Sequence, residues 1–188
     1  RSRILCDFRL PRIAISILIG PGLAVSGCVM QGLSRNALAD PGILGVNAGA
    51  GLMVMLYVSF FSSTVSGSVF LLPILALIGA GATAVLIYVL SYKKGEGLIP
   101  TRMLLVGIGV AAGISAAMIV LTLRLRPEEY QFVASWLAGR IWGTSWKFVV
   151  ALLPWLIVFL PFVFYKAKVM NVLNMGDQTA TGLGTSIE

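Results

Sequence analysis

"MLLVGIGVAAGISAAMIVLTL" (Met103–Leu123) contains no Asp, Glu, Lys or Arg. As a helix rising about 1.5 Å per residue, it would cover roughly the 30 Å of a bilayer's hydrocarbon core. Four more stretches approach the roughly 17–25 apolar residues that a span needs. They are Ile13–Leu33, Gly42–Phe61, Val69–Leu90 and Phe148–Tyr165, and none has a charged residue in its interior. The expected fold is therefore all-α: a polytopic transmembrane helical bundle of five spans over residues 1–165. The polar tail, residues 166–188, is expected to leave the membrane as a short helix pair around a tight turn.

Composition agrees. The 188-residue chain is 58% hydrophobic and 11% charged, against about 25% charged in soluble domains. A net charge of +7 would suit nucleic acid, but the basic residues occupy the short gaps between apolar runs, where membrane proteins carry them. No nucleic-acid partner is expected; the lipid bilayer is. The absence of His excludes His-based metal sites and Ser-His or Cys-His catalysis. Cys6 and Cys28 are too few for a disulfide framework, and Cys28, inside an apolar run, is expected to be buried as a small hydrophobe. The chain begins at Arg1, shows no signal-peptide pattern, and is expected to be a fragment.

The uncharged spans bear on mechanism. Ion-coupled carriers usually keep an ionisable residue at membrane depth, despite a cost of about 2.5–3.5 kcal/mol on insertion scales. None is present in the five stretches, so the energy source is expected outside this chain. Gly45 and Gly49 form one G-x-x-x-G, and Gly109 and Gly113 another. Small residues allow the close backbone approach that holds membrane helices together; the alternative is a mobile or pore-lining surface. Pro154 and Pro161 mark kinks in the last span, serving either packing or a gate.

The gap "RLRPEEYQFVASWLAGRIWGTSWK" (Arg124–Lys147) mixes charge with Trp136, Trp142 and Trp146, aromatics suited to the membrane boundary. It reads as a short interfacial or re-entrant helix over 131–142, or else as a loop. Glu128 and Glu129 read as solvated loop residues rather than paired catalytic acids. In the tail, Gly176 suits a left-handed helix end and Asp177 a helix cap, with Met170, Leu173, Met175 and Leu183 on an apolar face. An amphipathic surface segment is the alternative. "GVNAGAG" (Gly45–Gly51) only superficially resembles a phosphate loop, because no Lys follows it and no dinucleotide-site acid lies about 20 residues on.

Three separated motifs then stand out: "RLPR" (Arg9–Arg12), "GLAVSGCVMQGLSRNALADPGILGVNAGAG" (Gly22–Gly51) and "MNVLNMGDQTATGLG" (Met170–Gly184). Together, and in this order, they resemble the FecCD-type permeases of ABC importers, which take up iron–siderophores, haem and cobalamin. Two departures are visible: Ala37 stands where the family usually has Pro, and Gln178 where it has an acid. Members are longer, with ten spans in the best-known cases. The resemblance implies a permease that binds no cofactor itself, with ATP and Mg on separate ATPase subunits. It also implies an extracytoplasmic substrate-binding protein, a second permease subunit, and a place in the bacterial cytoplasmic membrane.

The resemblance assigns roles to residues. Arg9 and Arg12 match basic residues that dock the binding protein; headgroup anchoring is their alternative role. Leu173, Met175, Gly176, Asp177, Gln178 and Gly184 fall in the segment that couples to the ATPase. Pro100 and Thr101 fall at a cytoplasmic gate loop, and Gly107, Gly109 and Gly113 on the helix lining the pathway. Gly45, Gly49 and Gly51 are expected to serve helix packing. Asp40-Pro41-Gly42 starts the second span through a Pro-fixed bend, Asn36 caps a short turn, and Arg35 either contacts the ATPase or holds the span at the headgroups.

With five spans, the tail side carries Arg35, Lys93, Lys94, Arg102, Lys166 and Lys168. The other side carries Arg1, Arg3, Arg9, Arg12, Arg124, Arg126, Arg140 and Lys147. The positive-inside rule thus leans against a cytoplasmic tail, whereas the resemblance favours one. Two other classes remain in view, an ion-coupled carrier or channel and a membrane scaffold. No catalytic constellation suggests an enzyme.

Overall fold

The computed structural model describes residues 9–34, 36, 40–42, 44–61, 70–94, 97–139, 145–174 and 182. Among these, six helices and one small ribbon follow one another: α1 (Leu10–Ser34), α2 (Val46–Phe60), α3 (Leu71–Ser91), β1 (Tyr92–Lys93), β2 (Gly97–Leu98), α4 (Pro100–Thr122), α5 (Pro127–Leu137) and α6 (Trp146–Asn174). The all-α expectation holds. The ribbon was not foreseen; it pairs Tyr92 with Leu98 and Lys93 with Gly97, antiparallel.

Four helices (α1, α3, α4 and α6) are long and apolar enough to cross a membrane. The second expected span, Gly42–Phe61, is shorter than its apolar run: α2 has 15 residues, about 22 Å of rise against a core of roughly 30 Å. Pro41, Gly42, Leu44 and Gly45 are held in turns instead. Gly45 takes φ 77° and precedes the helix, so it belongs to the turn and not to the span.

The other boundaries move for local reasons. Helix α1 begins before Ile13 because Pro11 fits a first turn, where its missing N–H costs nothing. Its far end closes through a bond from the Asn36 N–H to the Gln31 carbonyl, 3.3 Å, a six-to-one closure typical of helix C-termini. Helix α6 runs unbroken past Tyr165 to Asn174, so the step from apolar to basic sequence at Lys166 is not a structural break. Residues 166–174 are mostly good helix formers with no Gly or Pro among them. Helix α5 begins at Pro127 rather than 131, and Gly139, with φ 68°, follows its end at Leu137.

The chain divides into two compact units, residues 1–40 with 143–188, and residues 41–142. In the first, α1 packs along α6, where a Cβ at Gly22 would stand 3.2 Å from Leu156. Cys28 is exposed on α1, contrary to the burial expected of it; its side chain lies on a face that no described element covers. In the second unit α2 is central and touches α3, α4 and α5. Met55 and Val58 of α2 and Val133 of α5 form its core, with Tyr57, Met118, Leu121, Leu125 and Phe132 packed around them.

Candidate functional site

The glycines singled out from the sequence divide into two groups. In the first, backbones meet. A Cβ at Gly49 would overlap the Thr83 hydroxyl and lie 2.8 Å from the Gly79 carbonyl oxygen. Gly79, Thr83, Ile87 and Ser91 are the buried residues of α3; their spacing of four puts them on one stripe. Thus α2 and α3 cross in close backbone contact at Gly49 and Gly79. Gly45 sits equally tightly against α4, where a Cβ would stand 2.9 Å from Ala111 Cβ and 3.0 Å from the Gly107 carbonyl oxygen. Its positive φ alone would disfavour a side chain. Gly107 answers from the other side, against Leu44.

Gly109 and Gly113 form the second group. Both are exposed on α4, and a Cβ at either meets nothing within 4 Å. The structure therefore separates Gly107, which is packed, from the two glycines read with it as pathway residues. Pro100 and Thr101 lie in the first turn of α4 rather than in a loop. Pro100 is half-buried and Thr101 exposed. The ribbon leads into them, with Ile99 extended at the cap.

Gly51 has a partner that sequence reading missed. Leu137 Cδ2 would lie 2.5 Å from a Cβ there, so the end of α5 rests on the second turn of α2. Four residues earlier, Val133 packs on Met55 and Val58. Helix α5 therefore runs back along α2 after α4 has ended.

The start of α5 carries the clearest electrostatic feature. The Arg126 backbone N–H donates to Glu129 Oε2 at 3.0 Å, and its guanidinium donates to Glu129 Oε1 through Nε at 3.0 Å and Nη2 at 2.6 Å. The first bond is the acidic half of a capping box and satisfies one backbone donor at the helix start; the other two form a charge-assisted clamp. Glu129 is only 6% exposed, so the reading of Glu128 and Glu129 as solvated loop residues fails for Glu129. Arg126 stays at the surface. The hydrogen bond and charge of Glu129 raise its pKa above the ordinary arginine value. The signal was present in the sequence, as Pro at the first helical position with acids in the first turn marks a helix start.

In the other unit, Arg9 is exposed and Arg12 half-buried at the start of α1. The Ser16 hydroxyl donates to the Arg12 carbonyl at 2.8 Å. Met170 lies half-buried on the last turns of α6. Leu173 is in the final turn of α6, and the structure describes its backbone only. Met175, Gly176, Asp177, Gln178, Leu183 and Gly184 lie outside the described residues, as do Arg35, Cys6 and Trp142. Among the described residues no three of His, Cys, Asp and Glu come together as a metal site would require.

The described residues thus hold four long helices with uncharged interiors and, within residues 41–142, a short helix gripped through glycines with α5 laid along it. The chain matches the FecCD transport family over residues 1–188. It belongs to that family. Among its FecCD relatives, it is 46% identical to the iron(3+)-hydroxamate import system permease protein FhuG of Bacillus subtilis, covering 98% of this chain and 56% of FhuG. The Fe(3+) dicitrate transport system permease protein FecD of Escherichia coli is 35% identical, with 98% and 55% covered. A solved structure described as an inward-facing conformation of a metal-chelate type ABC transporter superposes with a TM-score of 0.76 at 25% identity. The match covers 99% of this chain and 57% of that one. The chain thus spans about half the length of the curated relatives it matches. With its apolar helices, it is a multi-pass membrane protein.

Proposed function

We propose that this chain forms part of the permease of a bacterial ABC importer. In this reading it conducts an iron(III)–siderophore or related metal chelate across the cytoplasmic membrane, handed over by an extracytoplasmic binding protein. ATP and Mg are bound by separate ATPase subunits, and a second permease subunit completes the pathway. The observation that carries the reading is the match to one family along the whole chain, whose relatives include iron-chelate import permeases by name. The uncharged interiors of the long helices support it, because they leave ion coupling without a titrating group.

Roles follow for particular residues. Arg9 and Arg12 meet acidic residues of the binding protein, which orients the encounter more than it sets raw affinity. Gly109 and Gly113 face the pathway from α4, and Pro100 and Thr101 stand at its cytoplasmic gate. The segment from Leu173 through Gly184 sits in a groove of the ATPase, a common mode for amphipathic helices. The test is co-purification of the full-length protein with its ATPase. Retention of the ATPase, and its release when Met170–Gly184 is deleted from a still-folded permease, are the expected results. Retention after that deletion would remove the coupling role, and failure of the intact protein to hold any ATPase would remove the importer reading.

A further inference from the structure

Helix α6 carries an outward face whose chemistry changes in order along its length. Trp155 and Phe159 stack, with ring centroids 6.1 Å apart and planes 13° from parallel. Phe162 and Lys166 follow on the same stripe at spacings of three and four. All four are exposed. Tyr165 flanks the stripe at 80% exposure, and Lys166 Nζ lies 5.8 Å from its ring centroid, within the cation–π range of about 6 Å. From Trp155 to Lys166 the helix rises about 16 Å, close to the roughly 15 Å of hydrocarbon in one leaflet. Lys168 is also exposed, but at about 100° per residue it lies on the other side of the helix.

We propose that this face seats one anionic phospholipid. An acyl chain lies along Trp155, Phe159 and Phe162, and the phosphate meets the Lys166 ammonium and the Tyr165 hydroxyl at the headgroup level. Aromatic residues carry the apolar length, and tyrosine suits the boundary where one end is dry and the other wet. The lysine's charge selects the occupant. A headgroup with net negative charge complements it, whereas a zwitterionic headgroup brings a competing cation. A lysine near the membrane surface favours anionic lipid by about five-fold, and salt weakens the effect. The proposal needs the chain to span a membrane and this stripe of α6 to face lipid in the full-length protein; it does not depend on the transport role.

Native mass spectrometry of the intact permease in mild detergent tests it, counting retained dioleoyl-phosphatidylglycerol against dioleoyl-phosphatidylcholine. Phosphatidylglycerol should be retained preferentially. Lys166→Gln should cut that preference about five-fold, Lys166→Arg should keep it, and Lys168→Gln should leave it unchanged. Equal retention of the two lipids overturns the proposal. Equal loss in Lys166→Gln and Lys168→Gln also overturns it, because it would reduce the effect to general surface charge.

Discussion

Two glycines in the same pattern have opposite surroundings at the level of single residues. Gly49 and Gly109 are both in G-x-x-x-G patterns, and the sequence offered no way to rank them. Their surroundings do. An added methyl at Gly49 meets the Gly79 carbonyl at 2.8 Å and Thr83 Cβ at 2.7 Å; the backbone of α3 cannot swing aside as a flexible side chain would. Gly49→Ala should therefore lower stability by roughly 1–3 kcal/mol, the usual cost of overpacking. The readout is the thermal midpoint of the full-length protein in detergent. Gly109→Ala meets nothing within 4 Å and should leave that midpoint unchanged or slightly raised, because Ala is the better helix former. If Gly109 faces the substrate path, chelate uptake falls in the second variant while folding stays intact. Equal midpoints for the two variants would contradict the crossing described at Gly49.

At the scale of elements, the long helices were legible because a run of apolar residues without charge has few other uses. Helix α5 was only half legible. Its aromatics announced a membrane-boundary segment, but Val133 and Leu137 could not reveal that they pack on α2, since those contacts join residues about 80 positions apart in the chain. The start of α2 was hidden for a different reason. Gly45 in a hydrophobic run looks the same whether it lies in a helix or in a left-handed turn, and only the nearness of Gly107 and Ala111 decides. The docking of α5 makes a testable claim. Met55 is nearly fully buried against Val133, and Met→Ala at such a site opens a cavity that costs about 2–5 kcal/mol in water-soluble cores. Lipid is itself apolar, so only the packing part of that cost should persist in the membrane. Met55→Ala is expected to speed amide hydrogen exchange in Phe132–Leu137 by about ten-fold or more, a change of roughly 1.4 kcal/mol in local opening. Exchange in α3 should change less. A uniform rise across both helices would mean that α5 is not held by this contact.

Across the whole molecule, the 29 residues of α6 exceed what a bilayer requires. At about 1.5 Å per residue it measures about 43 Å, some 13 Å beyond a hydrocarbon core of roughly 30 Å. The sequence suggested a division at Lys166, where hydropathy drops; the helix ignores it, since Lys side chains can reach the headgroups without breaking the backbone ladder. Under the proposed function this continuity has a mechanical consequence. A segment joined to a span by unbroken helix passes its displacement to that span, whereas a flexible joint would absorb it. Ala167→Pro, with Ala167→Leu as control, tests the point. Proline removes a helical hydrogen bond and clashes with the preceding turn, costing about 3 kcal/mol, while the sequence from Met170 onward stays intact. In proteoliposomes of the complete transporter, the proline variant should keep its bound ATPase and its ATP hydrolysis while chelate uptake falls at least ten-fold. The leucine variant should transport normally. Uptake undiminished by proline would show that the helical connection transmits nothing, even if the ATPase docks where proposed. Loss of ATPase binding would instead place residue 167 within the docking surface and move that surface closer to the membrane.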